Sequence, residues 1–234
     1  MSHFIHRSLL VVAALAIALP LAAQGRHASD DNSFRVRAGL FTPDGESAYW
    51  QDNESFFASS ADDFEDVVIG ADFRWHLGPR SALQLSVDVY SGEEDLAYAD
   101  FVDFFGDPIV HTTTLDVASV TAAYVVDLTS RSSPVIPYVG VGGGVYDWTL
   151  EESGDFIDFN LVEPEVFTDT FQASDTTLGW YFLAGVEVPI SAQMSVFAEG
   201  RWQDVDEELG DDFDGLGSLD LSGRNLYGGF AWSF

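Results

Sequence analysis

The sequence predicts an all-β protein, an antiparallel up-and-down β-barrel of eight strands that spans a membrane. Three observations predict it. Eight segments alternate apolar and polar residues, as strands with one apolar face do. Three short turns and four long loops join these segments in strict alternation, which is the pattern of transmembrane barrels. Of the 39 acidic residues, 31 lie in or directly beside the four long loops, and these loops contain no Arg.

The composition limits the class of protein further. A chain of 234 residues fits one domain. The absence of Cys excludes disulfides, Cys-ligated zinc and cysteine catalysis. A net charge of −30 argues against nucleic acid as a partner, because phosphates need a basic surface. With 47% hydrophobic and 14% aromatic residues, the chain is not a disordered acidic tail.

The first 23 residues read as a secretory signal peptide. Arg7 precedes an apolar run over residues 9–19, and small residues follow. The run is too short for a transmembrane helix, which needs about 20 residues. Cleavage after Ala23 is preferred, and cleavage after Gly25 is nearly as good. We expect residues 24–32 to form a flexible N-terminal segment and residues 33–234 to form the barrel domain.

The first four strands follow in order. The strand at residues 33–41 has apolar side chains at even positions and Arg at two odd positions. The strand at 67–77 has apolar side chains at odd positions, with Asp, Arg and His between them. The strand at 82–91 alternates Leu and Val with polar residues. The strand at 114–128 alternates less clearly, and we favour an outward set of Val120, Ala122, Tyr124 and Val126.

The last four strands repeat the pattern. Residues 135–148 alternate Val with Gly, and residues 176–188 alternate Leu, Phe and Val with Gly and Glu. Residues 194–203 carry Glu and Arg between their apolar positions, and residues 221–234 end on alternating aromatics. In a membrane only a closed barrel pairs every backbone group, so the apolar face must point outward to lipid.

The four long loops are predicted to be extracellular, at residues 42–66, 92–113, 149–175 and 204–220. The second and third loops also contain several aromatic side chains. These side chains either form an exposed surface for a partner or belong to strand extensions that pack on each other above the membrane. We slightly prefer the strand extensions.

Large aromatic residues fall near the ends of the outward faces, as in the aromatic girdles of membrane barrels. Trp75 and Tyr124 lie towards the short-turn rim, and Trp180 and Trp202 towards the loop rim.

The inward faces carry the remaining charges. Four cations and four anions are expected there: Arg35, Arg37, Arg74, Arg201, Asp72, Asp88, Glu187 and Glu199. An eight-stranded barrel is only wide enough for side chains to fill it, and buried charges are costly unless paired. We therefore predict Arg–carboxylate pairs that fill the lumen as a permanent plug. The alternative is a gate that opens when the pairs exchange partners.

Three segments carry a resemblance to a known family. The chain ends in a run with Phe230, Trp232 and Phe234 at alternate positions. Residues 137–144 are Gly-rich, and residues 198–202 read Ala-Glu-Gly-Arg-Trp. In these features the chain resembles the small outer-membrane β-barrel family, the OmpA/OmpX-type eight-stranded proteins. The resemblance covers the barrel alone, and does not imply the peptidoglycan-binding domain of the larger members.

The resemblance implies a location and an assembly route. The location is the outer membrane of a Gram-negative-type bacterium, reached by export through the periplasm. The C-terminal aromatics would be the signal read by the barrel-assembly machinery. Outer-membrane lipid and lipopolysaccharide would be the other partners, and we expect a monomer that binds no nucleic acid.

The sequence contains few features that would indicate an enzyme. A lipid A deacylase of this architecture needs His and Ser together on the lipid face, and none of His27, His76 and His111 forms such an outward pair. A catalytic role for His111 competes with that of an ordinary surface His. The paired loop carboxylates lack the split environments of acid–base catalysis. We expect no catalytic residues and a non-enzyme.

We also expect no cofactor beyond Ca²⁺ or Mg²⁺ bound loosely at the acidic loops, since hard oxygen ligands suit these ions. The weak metal candidate is Asp211, Asp212 and Asp214 with Gly215, which misses the spacing of a calcium-binding loop. A saline habitat would explain the acidity without any ligand.

These observations predict a structural or surface-interaction role in the envelope. The first alternative is a narrow gated channel for ions or small molecules, including hydrophobic ones that leave sideways. The second alternative is a lipid-modifying enzyme.

Overall fold

The fold is a closed antiparallel barrel of eight strands. The computed structural model describes residues 32–57, 59–159 and 164–234. The predicted signal peptide and residues 24–31 of the N-terminal segment lie outside the described residues. The barrel strands are β1 (Ser33–Pro43), β2 (Asp66–Gly78), β3 (Ser81–Val102), β4 (Pro108–Asp127), β5 (Ile136–Asp158), β6 (Glu165–Pro189), β7 (Met194–Asp204) and β10 (Gly223–Ser233). Their order around the ring is β1-β10-β7-β6-β5-β4-β3-β2.

Closure comes from β1, which pairs with β2 on one side and with β10 on the other. Val36 is opposite Ala71 of β2 and Phe230 of β10, and both pairings are antiparallel. The up-and-down topology that the sequence predicts is therefore confirmed. None of the helices in the described ranges is long and apolar enough to cross a membrane.

The elements outside the barrel belong to the first and fourth loops. They are the helix α1 (Ala48–Phe56), two 3-10 turns (Ala61–Phe64 and Asp211–Phe213), and the short strands β8 (Asp206–Glu208) and β9 (Ser218–Asp220). β8 and β9 pair with each other as a two-stranded ribbon. These two predicted loops are thus folded over the barrel end.

The predicted second and third loops are mostly strand, which corrects the prediction of loops at residues 92–113 and 149–175. β3, β4, β5 and β6 are 22, 20, 23 and 25 residues long. A strand needs only about 9–11 residues to span a bilayer. The additional length forms two hairpins that project beyond the membrane. This agrees with the prediction that the loop aromatics belong to strand extensions.

The apolar side of these strands changes where they leave the membrane. In the lower part of β5, Val141 and Val145 point outward and are exposed. Beyond Val145 the inward positions become the apolar ones, and Tyr146, Trp148 and Leu150 are each at most 2% exposed. The outward positions there are Asp, Thr and Glu. Water on the outside and a core on the inside explain this exchange.

The barrel interior is therefore filled at two levels. Towards the short turns it contains charged side chains. Towards the loops it contains an apolar core shared by the strands and the two folded loops. Its largest members include Phe41, Trp50, Phe64, Tyr90, Leu115, Trp148, Leu150, Phe213 and Leu219.

Candidate functional site

All eight charged residues predicted for the lumen are buried inside the barrel, each at most 5% exposed. They come from β1, β2, β3, β6 and β7, at positions that alternate with exposed apolar residues. The antiparallel register supports the pairing, because Arg35 lies directly opposite Asp72. The structure thus brings this whole set together in one network.

Glu199 lies at the centre of the network. Its carboxylate oxygens are 3.2 Å from Arg37, 3.3 Å from Arg201, 3.5 Å from Arg35 and 3.9 Å from Arg74. One buried carboxylate therefore contacts all four guanidinium groups. A buried charge is stabilised only by such close partners.

The other carboxylates complete the pairing. Arg37 donates to both oxygens of Asp88, with N–O distances of 2.7 and 2.8 Å, and Arg201 reaches Asp88 at 3.2 Å. Arg37 also lies 2.8 Å from Asp72. Glu187 is at the edge of the network, 3.8 Å from Arg74. Four cations face four anions, so the lumen network is neutral.

Two neutral residues that the sequence analysis did not select hold the network together. Gln84 Oε1 accepts hydrogen bonds from Arg35 and Arg74, and its Nε2 donates to Asp72. The Tyr138 hydroxyl donates to Glu199 at 3.0 Å and accepts from Arg35 at 2.8 Å. Both residues occupy inward positions of their alternating strands. This alternation is the sequence signal that identifies them as lumen residues.

Each guanidinium also lies over an aromatic ring, a favourable arrangement for Arg. Arg35 lies 3.5 Å from the centroid of Phe197. The other three pairs, at 4.3 to 4.4 Å, are Arg37 with Tyr227, Arg74 with Tyr138, and Arg201 with Tyr181.

Inward glycines provide the space for these side chains. A Cβ at Gly185 would meet the ring of Tyr138 at 2.5 Å, and a Cβ at Gly70 would overlap the Asp88 carboxylate. Above the network a cavity of about 30 Å³ is lined by residues that include Asp88, Arg201 and Tyr146. That volume is enough for at least one water molecule.

The apolar core near the loops, which is the second level of the filled interior, lies above this cavity. Trp50 of α1 is 1% exposed and donates from its indole nitrogen to the Asp220 carbonyl at 3.0 Å. Its ring centroid is 5.0 Å from that of Phe64. The helix of the first loop is thereby joined to β9 of the fourth loop, across the mouth of the barrel.

His111 belongs to the projecting part of β4. It is 1% exposed, and its ring stacks on Phe156 with centroids 4.7 Å apart. Burial lowers its pKa to about 4. Its Nε2 lies 4.0 Å from Glu152, whose other oxygen accepts the Tyr49 hydroxyl at 2.6 Å. Burial raises the pKa of Glu152 and that of Tyr49. The alternative of an ordinary surface histidine is therefore wrong.

The remaining predicted residues lie on the outside. Trp75, Tyr124, Trp180 and Trp202 point outward and are 37–55% exposed, as are Phe230, Trp232 and Phe234 at 49–54%. In the metal candidate loop, Asp212 accepts the backbone N–H of Gln172. Across the described ranges, no group of three or more acidic or His side chains is placed to hold a metal ion.

A membrane-facing apolar exterior around a narrow interior that contains paired charges defines a class of protein, the small transmembrane β-barrels. Comparison with known families identifies the family to which this barrel belongs. Residues 9–234 match the family model described as outer membrane protein beta-barrel domain. The chain belongs to this family, and the protein is located in the outer membrane of a Gram-negative-type bacterium. No curated protein matches the sequence.

Three solved structures of outer-membrane proteins are similar to this chain at low identity, and OprG, the first of them, shares its fold. OprG from Pseudomonas aeruginosa is 13% identical, with a TM-score of 0.54, covering 89% of this chain and 97% of that chain. Neisserial surface protein A is 14% identical, with a TM-score of 0.44 and coverages of 87% and 97%. Outer membrane protein W of E. coli is 14% identical, with a TM-score of 0.42 and coverages of 89% and 100%.

Proposed function

We propose that this outer-membrane barrel is a non-conducting scaffold, whose role is to present structured acidic hairpins outside the cell. The observation that carries the proposal is the interior, which is occupied at two levels. Four buried guanidinium groups are paired with four buried carboxylates, and an apolar core that includes Trp50 lies above them. Ion passage would need both levels to open together.

The projecting hairpins support a role in surface contact. The turn between β3 and β4 carries Phe104 and Phe105, which are 96% and 84% exposed. Exposed apolar clusters with a polar surround often mark partner sites. A structural or surface-contact role needs no catalytic residue. We therefore propose that the protein is not an enzyme.

We also propose three partners for the barrel: membrane lipid, the barrel-assembly machinery and lipopolysaccharide. The outward apolar band faces membrane lipid, and the exposed C-terminal aromatics suit recognition by the assembly machinery. Lipopolysaccharide is anionic like the loops, so its association would be bridged by loosely bound divalent cations. In this proposal the barrel acts as a monomer and needs no resident cofactor.

Single-channel recording tests the proposal directly. The mature chain would be refolded into detergent and shown to be folded by its shift between unheated and boiled gel samples. It would then be inserted into a planar bilayer. We expect no discrete conductance steps from wild-type protein, or from the surface control Glu54→Ala.

Variants of the lumen network decide how discrete conductance steps, if wild-type protein gives them, are interpreted. Discrete wild-type steps that change in Glu199→Ala or Arg201→Ala, but not in Glu54→Ala, would overturn the scaffold proposal. They would favour the second candidate, a narrow gated channel. The observation that favours this candidate is the position of Glu199 within 4 Å of four guanidinium groups, which allows it to exchange partners.

A further inference from the structure

The part of β6 beyond the membrane has a strand partner on one side only. β5 pairs with β6 as far as the opposite residues Asp158 and Glu165. β7 pairs with β6 only as far as Trp180, which lies opposite Asp204. Among the described residues, the other edge of β6 over residues 165–179 therefore has no neighbouring strand. An exposed strand edge is a ready template for pairing with another chain.

The fourth loop covers only the part of this edge that is nearer to the membrane. The backbone N–H of Gln172 donates to the Asp212 carboxylate at 3.0 Å, and the Thr177 hydroxyl donates to the Asp206 carbonyl at 3.5 Å. Beyond Gln172, no described residue of the fourth loop forms a hydrogen bond with β6. Residues 165–170, which we call the free edge, are all exposed.

The hydrogen bond to Asp212 also shows which backbone groups face outward at the free edge. Gln172 donates away from β5, and alternate residues of a strand direct their N–H groups to the same side. The N–H of Thr170 agrees with this alternation, because it donates to the side chain of Asp169 at 2.8 Å. The N–H groups of Val166 and Thr168 therefore face the same side. They have no hydrogen-bond partner among the described residues, so an added strand can use them.

The side chains of the free edge define the chemistry of a strand that fits it. On one face these side chains are Glu165, Phe167 and Asp169, and Phe167 is 37% exposed. Residues directly opposite each other in an antiparallel pair contact through their side chains. A fitting strand therefore has basic residues opposite the two carboxylates and an apolar residue opposite Phe167.

The same face argues against pairing with a second copy of this chain. If two copies paired antiparallel about Phe167, Glu165 of each copy would lie opposite Asp169 of the other. Like charges directly opposite each other destabilise such a pair. The net charge of −30 on each chain adds further repulsion. The strand that fits the free edge therefore belongs to a different, basic molecule.

We propose that the free edge of β6 binds an extended basic peptide segment of a partner protein, which adds to the sheet as a further strand. Its pattern is basic-x-apolar-x-basic. The two x residues lie opposite Val166 and Thr168 and exchange backbone hydrogen bonds with them, and the basic side chains contact Glu165 and Asp169. In strand addition, main-chain hydrogen bonds provide affinity and alternate side chains provide specificity. Such binding rests on the surface-contact role proposed above for the hairpins.

Fluorescence anisotropy of a labelled peptide, titrated with the folded mature barrel in detergent micelles, tests this binding. The probe contains Lys-Thr-Val-Thr-Lys with one further Thr at each end, and we expect saturable binding of one peptide per barrel. The comparison peptide has the same sequence and charge, but the two Thr beside Val are N-methylated. It should not bind, because these two residues then have no N–H to donate to β6.

A variant of the barrel removes the edge from the other side of the interaction. Thr168→Pro deletes an N–H that the peptide needs, and Pro is tolerated on an edge strand where that N–H faces solvent. We expect this variant to lose binding. The matched control is Thr168→Val. Both variants lose the hydroxyl bond to Asp155 at 2.6 Å, but Thr168→Val keeps the N–H and should bind as wild type does.

Charge variants test the side-chain pattern. Glu165→Gln/Asp169→Asn should weaken binding by about fivefold or more, because two opposite-charge pairs across the strands are lost. Asp52→Asn/Glu54→Gln removes the same charge from exposed positions on α1 and should leave the affinity unchanged.

Four results would overturn the proposal. Wild-type barrel might bind no peptide to saturation, or the N-methylated peptide might bind as tightly as the probe. Thr168→Pro might bind as tightly as Thr168→Val, or the two charge variants might weaken binding equally. If Thr168→Pro does not fold by the gel-shift assay, the N-methylated peptide on wild-type barrel still decides. Conductance tests the scaffold separately, so a silent barrel that binds no peptide would contradict strand addition alone.

Discussion

His111 combines burial, aromatic contacts and a nearby carboxylate in one side chain. Burial lowers the pKa of His111 from 6.5 to about 4, so the closed loop assembly contains neutral imidazole. When the assembly opens, the imidazole regains an ordinary pKa and takes up a proton. The stability that neutral His111 contributes is therefore present above pH 6.5 and is lost as the pH falls from 6.5 towards 4.

We predict that His111→Phe removes this decline. The measurement is hydrogen exchange of β4 and β5 peptides beyond the membrane, followed through that pH range at constant ionic strength. Burial raises the pKa of Glu152, which has the opposite sign because the closed form then binds a proton more readily. The variant retains Glu152, so the difference between the two profiles isolates the histidine. Parallel profiles would contradict the prediction.

The sequence predicts residues of the lumen better than residues of the loops. Alternation within a strand places a side chain inward or outward whatever its partners are, so Arg35 and Glu199 could be assigned to the lumen. The choice of Tyr138 and Gln84 as hydrogen-bond partners depends on register and on inward glycines such as Gly185, which a single strand does not specify. The sequence does not show that His111 is buried, because its burial comes from packing against Phe57 and Phe156 of other segments.

Among the elements, α1 helps to close the mouth of the barrel through the buried side chain of Trp50. We predict that Trp50→Ala destabilises the loop assembly by about 3–5 kcal/mol, the usual cost of removing a buried aromatic side chain. The barrel itself should stay folded, because its strands pair independently of α1. Phe56→Ala is the matched control, since Phe56 lies on the same helix and is 53% exposed.

Hydrogen exchange of α1, together with the gel shift of the unheated barrel, measures both effects at once. Loss of protection in α1 with an unchanged gel shift is the expected outcome for Trp50→Ala. Equal protection in Trp50→Ala and Phe56→Ala would mean that α1 does not hold the mouth closed.

The strand elements also explain where sequence reasoning stopped. Within the membrane the apolar residues of β5 point outward, and beyond Val145 they point inward. A search for one continuous apolar face ends where the environment changes, so the predicted strand ended at Trp148 while β5 continues to Asp158. The exchange of apolar face marks the membrane surface and could be used to locate it in other sequences.

For the whole molecule, the charges divide into a neutral interior and a strongly acidic exterior. The net charge of the full chain is −30, while the lumen network contains four anions and four cations. Almost all the excess negative charge therefore lies on the loops and hairpins. Repulsion among these exposed carboxylates opposes the compact loop assembly, whereas the buried lumen pairs are shielded from dissolved ions.

We therefore predict that added salt stabilises the loop assembly and leaves the barrel strands unaffected. The screening length falls from about 10 Å at 0.1 M salt to about 3 Å at 1 M, so repulsion between neighbouring loops should largely disappear over that range. Hydrogen exchange of α1, β8 and β9 should slow as NaCl is raised, with β10 in the same sample as the internal reference. KCl and choline chloride should act equally, because screening does not depend on which monovalent cation is present. Faster exchange in high salt, or an effect of one cation alone, would show that loop packing is not limited by general repulsion.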